Sequence, residues 1–367
     1  MPSPFGARAQ GARLERMRAS PRFRDGVFHN TAPVGAALPA GQALPVLGEF
    51  VFGDAQRSPP APLPGDDPRP AWLTPPGSGL RVTWLGHSTL LLELDGFRLL
   101  TDPVWGERAS PWRFAGPRRF QPAPVSIDAL PALDAVLLSH DHYDHLDLPT
   151  IQALARRPVT FVTALGVGAH LEAWGVPPAR ILELDWWEDA PLHGGALRVT
   201  AAPAQHFSGR GLRDRNATLW CSFAVATARH RVYFGGDTGP TPEHAEVGAR
   251  LGPFDLAMLE VGAHHPAWGA IHLGPERALE AQARLGGPPL LPIHWGTFNL
   301  ALHAWDEPVE SLLAGAARSG ARLLLPRLGQ AVEPAAAGLP EPWWRAAAQP
   351  VEAWRAAHGR AVSGVKP

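Results

Sequence analysis

The sequence predicts an α/β fold, and three observations carry that reading. Between about Leu80 and Gln330, apolar runs of strand length recur and alternate with segments of helical periodicity. Several of these runs end on a histidine or an aspartate, and such folds build their sites where strands stop. The flanks are of another kind: residues 59–76 read PPAPLPGDDPRPAWLTPP, which sustains neither helix nor ladder, and from Glu333 onward the chain is rich in Ala and Pro. The 367 residues therefore divide into an N-terminal extension with a Pro-rich connector (1–78), a folded domain (79–330) and an Ala/Pro/Trp-rich tail (331–367).

Taken in order, Leu80–Leu85 and Leu90–Leu94 flank Gly86 and read as strands, with Asp95-Gly96 as a hairpin signal ahead of Phe97–Leu100. Ala135–Leu138 is a buried strand. A helix follows over Leu148–Arg157, with Asp147 as N-cap and Pro149 in its first turn. Further strands are expected at Val159–Val162, Leu197–Ala201, Leu219–Ala226, Arg231–Phe234 and Leu256–Leu259. A short one at Leu290–Ile293 contains Pro292, which assigns it to a sheet edge or a strand end. Helices are expected at Gly166–Trp174, Thr241–Leu251, Pro275–Arg284 and Val309–Ser319.

Bulk properties exclude several classes. A net charge of -1 supplies no global field for nucleic acid or an anionic membrane. The one cysteine, Cys221, forms no internal disulfide or Cys-rich zinc site and suits a reducing compartment. No apolar run approaches the roughly 18 to 20 residues of a membrane span. The arginines Arg8, Arg13, Arg16, Arg18, Arg22 and Arg24 read as a solvated basic arm rather than an organelle address. The expected setting is cytoplasmic, with peripheral contact to the inner face of the membrane left open.

The chemistry concentrates in LSHDHYDHLD, residues 138–147. In a tight loop after a strand, His140 and His142 can grip one ion while Asp144 and His145 face a second position. Imidazole and carboxylate donors suit zinc, and also iron or manganese. Alternatively the cluster is only a polar turn. Three more candidates stand at strand ends: His206, Asp237 and His294. Singly, either histidine could be a buried structural residue and Asp237, in GGDTG, a turn aspartate. Together the groups suit two ions sharing a bridging carboxylate and a solvent molecule.

HDHYDH, followed by His206, GGDTG and His294, resembles the metallo-β-lactamase superfamily of dinuclear hydrolases. WLGHST, LLTDPVWGERASP, ELDWWED, FSGRGLRDRNATLW and IHWGTFNL are similar to the branch containing the N-acylphosphatidylethanolamine-hydrolysing phospholipase D. The likeness runs from about Pro21 to Leu328. It implies a four-layer αβ/βα sandwich, two facing mixed β-sheets with helices outside and the metals at one edge. It further implies that His140, His142 and His206 hold one zinc, that Asp144, His145 and His294 hold a second, and that Asp237 bridges them. His272, in IHLGPERAL, matches a histidine that would touch the scissile phosphate. Asp102 is expected to orient a ligand histidine through its other ring nitrogen; His87 does the same or only holds its turn. His264 and His265 occupy a stretch usually poorer in histidine, and Glu260 stands where the branch often has proline, which alters the local pocket. Trp186 and Trp187 read as core or pocket wall.

The resemblance implies a two-zinc phosphodiesterase of phospholipase D type acting on N-acylphosphatidylethanolamine-like or related phosphodiesters. Attack would come from a metal-bridging hydroxide positioned by Asp237, with His272 stabilising the oxyanion or assisting departure. A lactone or carboxylic-ester hydrolase is the alternative, and a non-catalytic metal-bound sensor or scaffold is a reading of another class. No concentrated basic platform points to nucleic acid. For a phospholipid rather than a small soluble substrate, Trp343-Trp344 and the N-terminal arginines are the candidate membrane surface.

Overall fold

A computed structural model describes residues 2–33, 46, 49 and 53–347. A small hairpin pairs β1 (Phe23–Arg24) with β2 (Val27–Phe28). The remaining strands, in chain order, are β3 (Leu80–Gly86), β4 (Thr89–Leu94), β5 (Phe97–Thr101), β6 (Ala135–Leu138), β7 (Thr160–Ala164), β8 (Ile181–Leu184), β9 (Asp189–Leu192), β10 (Leu197–Ala202), β11 (Ser222–Ala226), β12 (Arg231–Phe234), β13 (Leu256–Glu260), β14 (Leu290–Ile293) and β15 (Ala331–Val332). They form a seven-stranded sheet, β15-β3-β4-β5-β6-β7-β8, and a six-stranded sheet, β14-β13-β12-β11-β10-β9. Both are mixed: antiparallel pairing gives way to parallel pairing from β5 to β8 in the first and from β12 to β14 in the second.

Strand direction decides where a site can form. β5 and β6 run parallel, and β3 shares their direction because two antiparallel steps separate it from β5. In the other sheet β12, β13 and β14 run parallel, and β10 agrees with them for the same reason. The C-terminal ends of all these strands therefore lie along one edge of each sheet, and the segments carrying His87, Asp102, His140, His206, Asp237, Glu260 and His294 begin there.

Local chemistry explains most elements. Asp95 and Gly96 both take positive φ, as a tight hairpin between β4 and β5 requires. The Asp147 carboxylate accepts from Thr150 N and caps the helix Leu148–Leu154, which stops earlier than the pattern predicts. The strand expected from Leu219 begins only at Ser222, because Leu219 N and Cys221 N donate across to Leu165 O and Ser139 O in the other sheet's loops. β14 is an edge strand, as Pro292 requires. β9, unforeseen, carries Pro191 on the opposite edge of the same sheet.

The flanking segments are built into the core. Arg81, Glu93 and Arg98 are register partners across β3, β4 and β5, and both arginines pair with the buried Glu93 carboxylate. Their remaining donors reach Thr74 O and Trp72 O, fastening the Pro-rich connector to the sheet. The basic arm is docked rather than free, though Arg8, Arg16, Arg18 and Arg24 remain exposed. It forms the helix Gly11–Ala19, where Arg13 pairs with Glu172 and Glu183, Arg16 with Glu188 and Arg18 with Glu15, while Met17 is buried. Arg22 lies 5.1 Å from the Trp186 ring. Trp343 and Trp344 are buried too and so cannot meet a membrane: their indoles donate to Leu325 O and Glu310 Oε1, and Trp343 packs against the stacked pair Trp84–Trp295. Residues 34–45 of the extension and 348–367 of the tail lie outside the described residues. No helix among the described residues is long and apolar enough to cross a membrane.

One buried histidine away from the strand-end cluster makes the fold acid-sensitive. His244, inside the helix Glu243–Leu251, has its pKa lowered from 6.5 to about 4 by burial and by the Arg284 charge. The folded state thus binds fewer protons than the unfolded chain, and the stability gained above pH 6.5 is lost as pH falls towards 4. The loss amounts to about 3 kcal/mol. Chemical denaturation of His244→Leu should show a shallower decline across that window than the parent; equal slopes would refute the assignment.

Candidate metal centre

Among the described residues, side chains from both sheet edges meet in four overlapping donor groups: Asp102, His140 and His145 make one, Asp237, Glu260, His272 and His294 another, and the remaining two gather all the predicted ligands. In the first, His142 Nδ1 lies 2.9 Å from His140 Nε2 and 3.2 Å from His206 Nε2, and Asp237 Oδ2 stands 3.9 Å and 3.7 Å from the latter two. In the second, Asp144 Oδ2 lies 3.0 Å from His87 Nε2, 3.4 Å from His145 Nε2 and 3.2 Å from His294 Nε2. Asp237 Oδ2 is also 3.2 Å from His145 Nε2 and 3.1 Å from His294 Nε2. One carboxylate oxygen therefore stands between the two groups. All seven residues singled out as ligands converge, and His87 joins them beside Asp144.

Outer contacts hold the rings. His145 Nδ1 is 2.7 Å from Asp102 Oδ2, whose carboxylate also accepts from Ser139 N and Ser139 Oγ. His140 Nδ1 meets Ser139 Oγ at 2.9 Å, and His206 Nδ1 donates to Ile271 O at 2.9 Å. Fixing the outer nitrogen leaves the inner one as the donor atom, as metal-binding histidines require. His87, Asp102 and His294 all adopt positive φ, a conformation costing such residues about 1–3 kcal/mol each and concentrated at functional sites. Gly236, ahead of Asp237, also has positive φ, and a Cβ there would stand 2.7 Å from that of Ser139.

The field is that of a cation site. Burial disfavours charge throughout, yet the histidines around Asp144 and Asp237 hold both carboxyls well below the usual range. Burial is outweighed at His294 too, whose pKa rises to about 10 beside Asp237 and Asp144, and His145 is raised well above its ordinary value by the same carboxylates and Asp102. His140, His142 and His206 are instead pushed down by burial and kept neutral, the form that ligates. Buried Asp237 Oδ1 has no hydrogen-bond partner among the described residues. An orphaned oxygen, ionised carboxylates and neutral imidazoles together fit a pair of divalent ions.

The comparisons agree with this geometry. Residues 97–295 match the family model described as the beta-lactamase superfamily domain. The chain belongs to the beta-lactamase superfamily. An uncharacterized protein of Mycobacterium tuberculosis is 46% identical over 349 residues, covering 94% of this chain and 92% of the relative. The N-acyl-phosphatidylethanolamine-hydrolyzing phospholipase D 1 of Caenorhabditis elegans is 39% identical over 233 residues, 61% of this chain and 65% of the relative. Among solved structures, the isothiocyanate hydrolase from Delia radicum gut bacteria superposes with a TM-score of 0.56 at 23% identity, covering 69% of this chain and 98% of that one. The chain is thus a metal-dependent hydrolase of the metallo-β-lactamase fold, and its relatives include N-acyl-phosphatidylethanolamine-hydrolyzing phospholipases D.

Within this superfamily member, His272 stands beside the donor groups, its ring 5.1 Å from that of His206 and 5.4 Å from that of His294. It lines a cavity of about 610 Å³ together with His264, His265, Glu276 and Glu307. His264 and His265 are no part of either donor group: His264 faces Glu307 at 3.3 Å and stacks on His303, and His265 meets Glu49 at 3.1 Å. Trp186 is buried with its indole on Trp220 O, and Trp187 carries the Arg250 guanidinium 3.8 Å from its ring.

Two residues escaped the sequence reading. The Asp141 carboxylate accepts from Gly209 N and Thr218 Oγ1 and faces His170 Nε2, tying the ligand loop to residues 207–218. Arg210, almost fully buried, donates to Asp141 O, Leu146 O and Pro4 O and lies 4.0 Å from the Tyr143 ring. Arg210 was hidden because its partners are backbone carbonyls distant in sequence.

Proposed function

We propose that the protein is a two-zinc phosphodiesterase of phospholipase D type, hydrolysing N-acylphosphatidylethanolamine-like or related phosphodiesters. The observation that carries this reading is the single Asp237 oxygen shared by two donor groups, with His272 alongside. His140, His142, His206 and Asp237 would hold one ion, and Asp144, His145, His294 and Asp237 the other. When bound, the ions supply Lewis acidity towards a phosphoryl oxygen and make a solvent nucleophile available near neutral pH. The chain's own residues do the rest. Asp237 orients the nucleophile through its free Oδ1, Asp102 and Ser139 keep the ligand rings from turning, and His272 hydrogen-bonds a phosphoryl or leaving-group oxygen. The activity for which the Caenorhabditis elegans relative is named supports the substrate class.

The decisive test quantifies metal and then assays one preparation on a phosphodiester, an N-acylphosphatidylethanolamine and a lactone. Two zinc ions per chain and phosphodiester turnover abolished by chelation are expected. Stoichiometric redox-active iron overturns the zinc assignment, and turnover confined to the lactone overturns the substrate class.

The setting proposed is cytoplasmic and peripheral to the membrane, and the surface that would meet lipid keeps one of the N-terminal arginines, Arg8, but not Trp343-Trp344. Phe5, Trp112, Phe114 and Leu212 are exposed, Phe114 at 82% and Leu212 at 104% of their full accessible area. The Phe5 and Trp112 rings touch, and a Cβ on Gly211, beside Leu212, would lie 3.6 Å from the Phe5 ring. Exposed Arg8, Arg113, Arg213 and Arg215 belong to the same segments, a charge suited to an anionic bilayer. Two of those segments, 112–114 and 211–215, run on from Asp102 and His206 at the metal centre. Co-sedimentation with phosphatidylserine vesicles should weaken roughly tenfold or more in the double variant Phe114→Ser, Leu212→Ser. Equal binding by variant and parent, or equal binding to neutral vesicles, overturns the surface.

A further inference from the structure

Glu260 is the one carboxylate at this edge whose chemistry the resemblance does not supply, since the branch often carries proline there. It ends β13 and its side chain is fully buried. A charged group in that position is costly unless every lone pair is used, and here both oxygens are. Oε1 accepts from Thr238 N at 2.8 Å and from Leu273 N at 3.2 Å, while Oε2 stands 2.5 Å from His272 Nδ1. Thr238 follows Asp237 and Leu273 follows His272. A single side chain therefore ties the bridging aspartate's loop to the segment that presents His272.

We propose that Glu260 is the positioning residue for His272, fixing the ring's orientation and keeping the proton on Nδ1, so that Nε2 is the atom offered to the substrate. The inference rests on the functional reading above for its catalytic consequence, but not for the hydrogen bond itself. Glu260 plays for His272 the part that Asp102 plays for His145: an outer carboxylate deciding which face of an imidazole does the work. When the His272 ring carries a proton on both nitrogens, Glu260 balances the added charge, and Nε2–H can pass its proton to a departing alkoxide oxygen. As that proton moves, the N–H bond breaks, the alcohol O–H bond forms, and the ring returns to neutral with Nδ1–H still held by Glu260.

Glutamine separates this role from a merely structural one. In Glu260→Gln the amide oxygen keeps the bonds from Thr238 N and Leu273 N, so the fold around β13 is retained. The amide N–H₂ then faces His272 Nδ1 and cannot accept from it. The ring must turn or move its proton to Nε2, and the compensating charge is gone.

The experiment compares the zinc-loaded parent, Glu260→Gln, His272→Ala and the double variant on two phosphodiesters, one with an alkyl and one with a nitrophenyl leaving group. Glu260→Gln should lower kcat for the alkyl substrate by about 10²-fold. The loss should be much smaller with nitrophenyl, which leaves without a proton, and KM and metal content should stay at parent values. The double variant should be no slower than His272→Ala, because a residue acting through another adds nothing once its partner is gone. Multiplying effects in the double variant, equal losses on the two substrates, or loss of metal from Glu260→Gln would each overturn the proposal. A second readout needs no turnover: the ring N–H resonance of His272 in ¹⁵N-labelled protein should be present in the parent and lost in Glu260→Gln. Its persistence refutes the positioning role. Full activity of His272→Ala with that resonance lost from Glu260→Gln would instead sink the functional reading of His272 and leave the hydrogen bond standing.

Discussion

Asp237→Ala is expected to lower turnover by roughly 10³-fold or more and to reduce bound metal. Asp237 links the two donor groups: its Oδ2 lies within 3.1–3.9 Å of His140, His145, His206 and His294. Alanine removes the carboxylate of the first group, which becomes three neutral imidazoles. The second group keeps Asp144 but loses the neighbour that, with Asp144, holds His145 and His294 protonated in the absence of metal. Because Asp237 is ionised against raised His145 and His294, its removal leaves those rings with less compensation, and the variant should also melt earlier without metal. Metal quantification, thermal unfolding and assay of the same preparation check the three statements together. Retention of both ions by a folded, inactive variant would show that Asp237 acts on the nucleophile alone. Retention of activity would remove the shared carboxylate from the mechanism.

The parts of this site legible in the sequence share a property: each ligand follows a short apolar run, and a strand's end is readable from the residues inside it. His140, His206, Asp237 and His294 were visible in that way. Their grouping was not, because it depends on strand direction in two sheets, and the resemblance supplied the assignment. What stayed hidden was set by distant partners. Glu260 was readable only as a departure from a family pattern; its meaning depends on a hydrogen bond to His272. Arg210 satisfies backbone carbonyls of segments far away in the chain. Arg13 and Arg16 of the first helix looked like part of a free basic arm because the glutamates that neutralise them lie between Glu172 and Glu188. Trp343-Trp344 looked amphipathic in isolation and is core once Trp84 and Trp295 are placed beside it.

Asp102→Asn should be the most damaging of the nearly isosteric substitutions, with metal affinity falling by about 10–100-fold and the fold losing about 1–3 kcal/mol. Asp102 is completely buried, and burial pushes its carboxyl pKa up while the bonds from His145 and Ser139 draw it back. In the asparagine variant the amide oxygen can keep the bond from Ser139 N at 2.8 Å. The amide N–H₂ then faces His145 Nδ1 and Ser139 Oγ, where a carboxylate oxygen accepted at 2.7 Å and 2.6 Å. Two donors cannot share that contact. His145 must either leave Nδ1 unsatisfied in the core or shift its proton to Nε2, the nitrogen that faces Asp144 and Asp237. A protonated Nε2 does not ligate, so the second donor group is emptied first while His140, His142 and His206 retain their ion. Zinc titration should therefore show one site weakened and one near the parent affinity, and the protein should melt earlier even without metal. Equal weakening of both sites would mean that Asp102 only supports the loop through Ser139, and unchanged affinity at both would show that the His145 tautomer is set elsewhere.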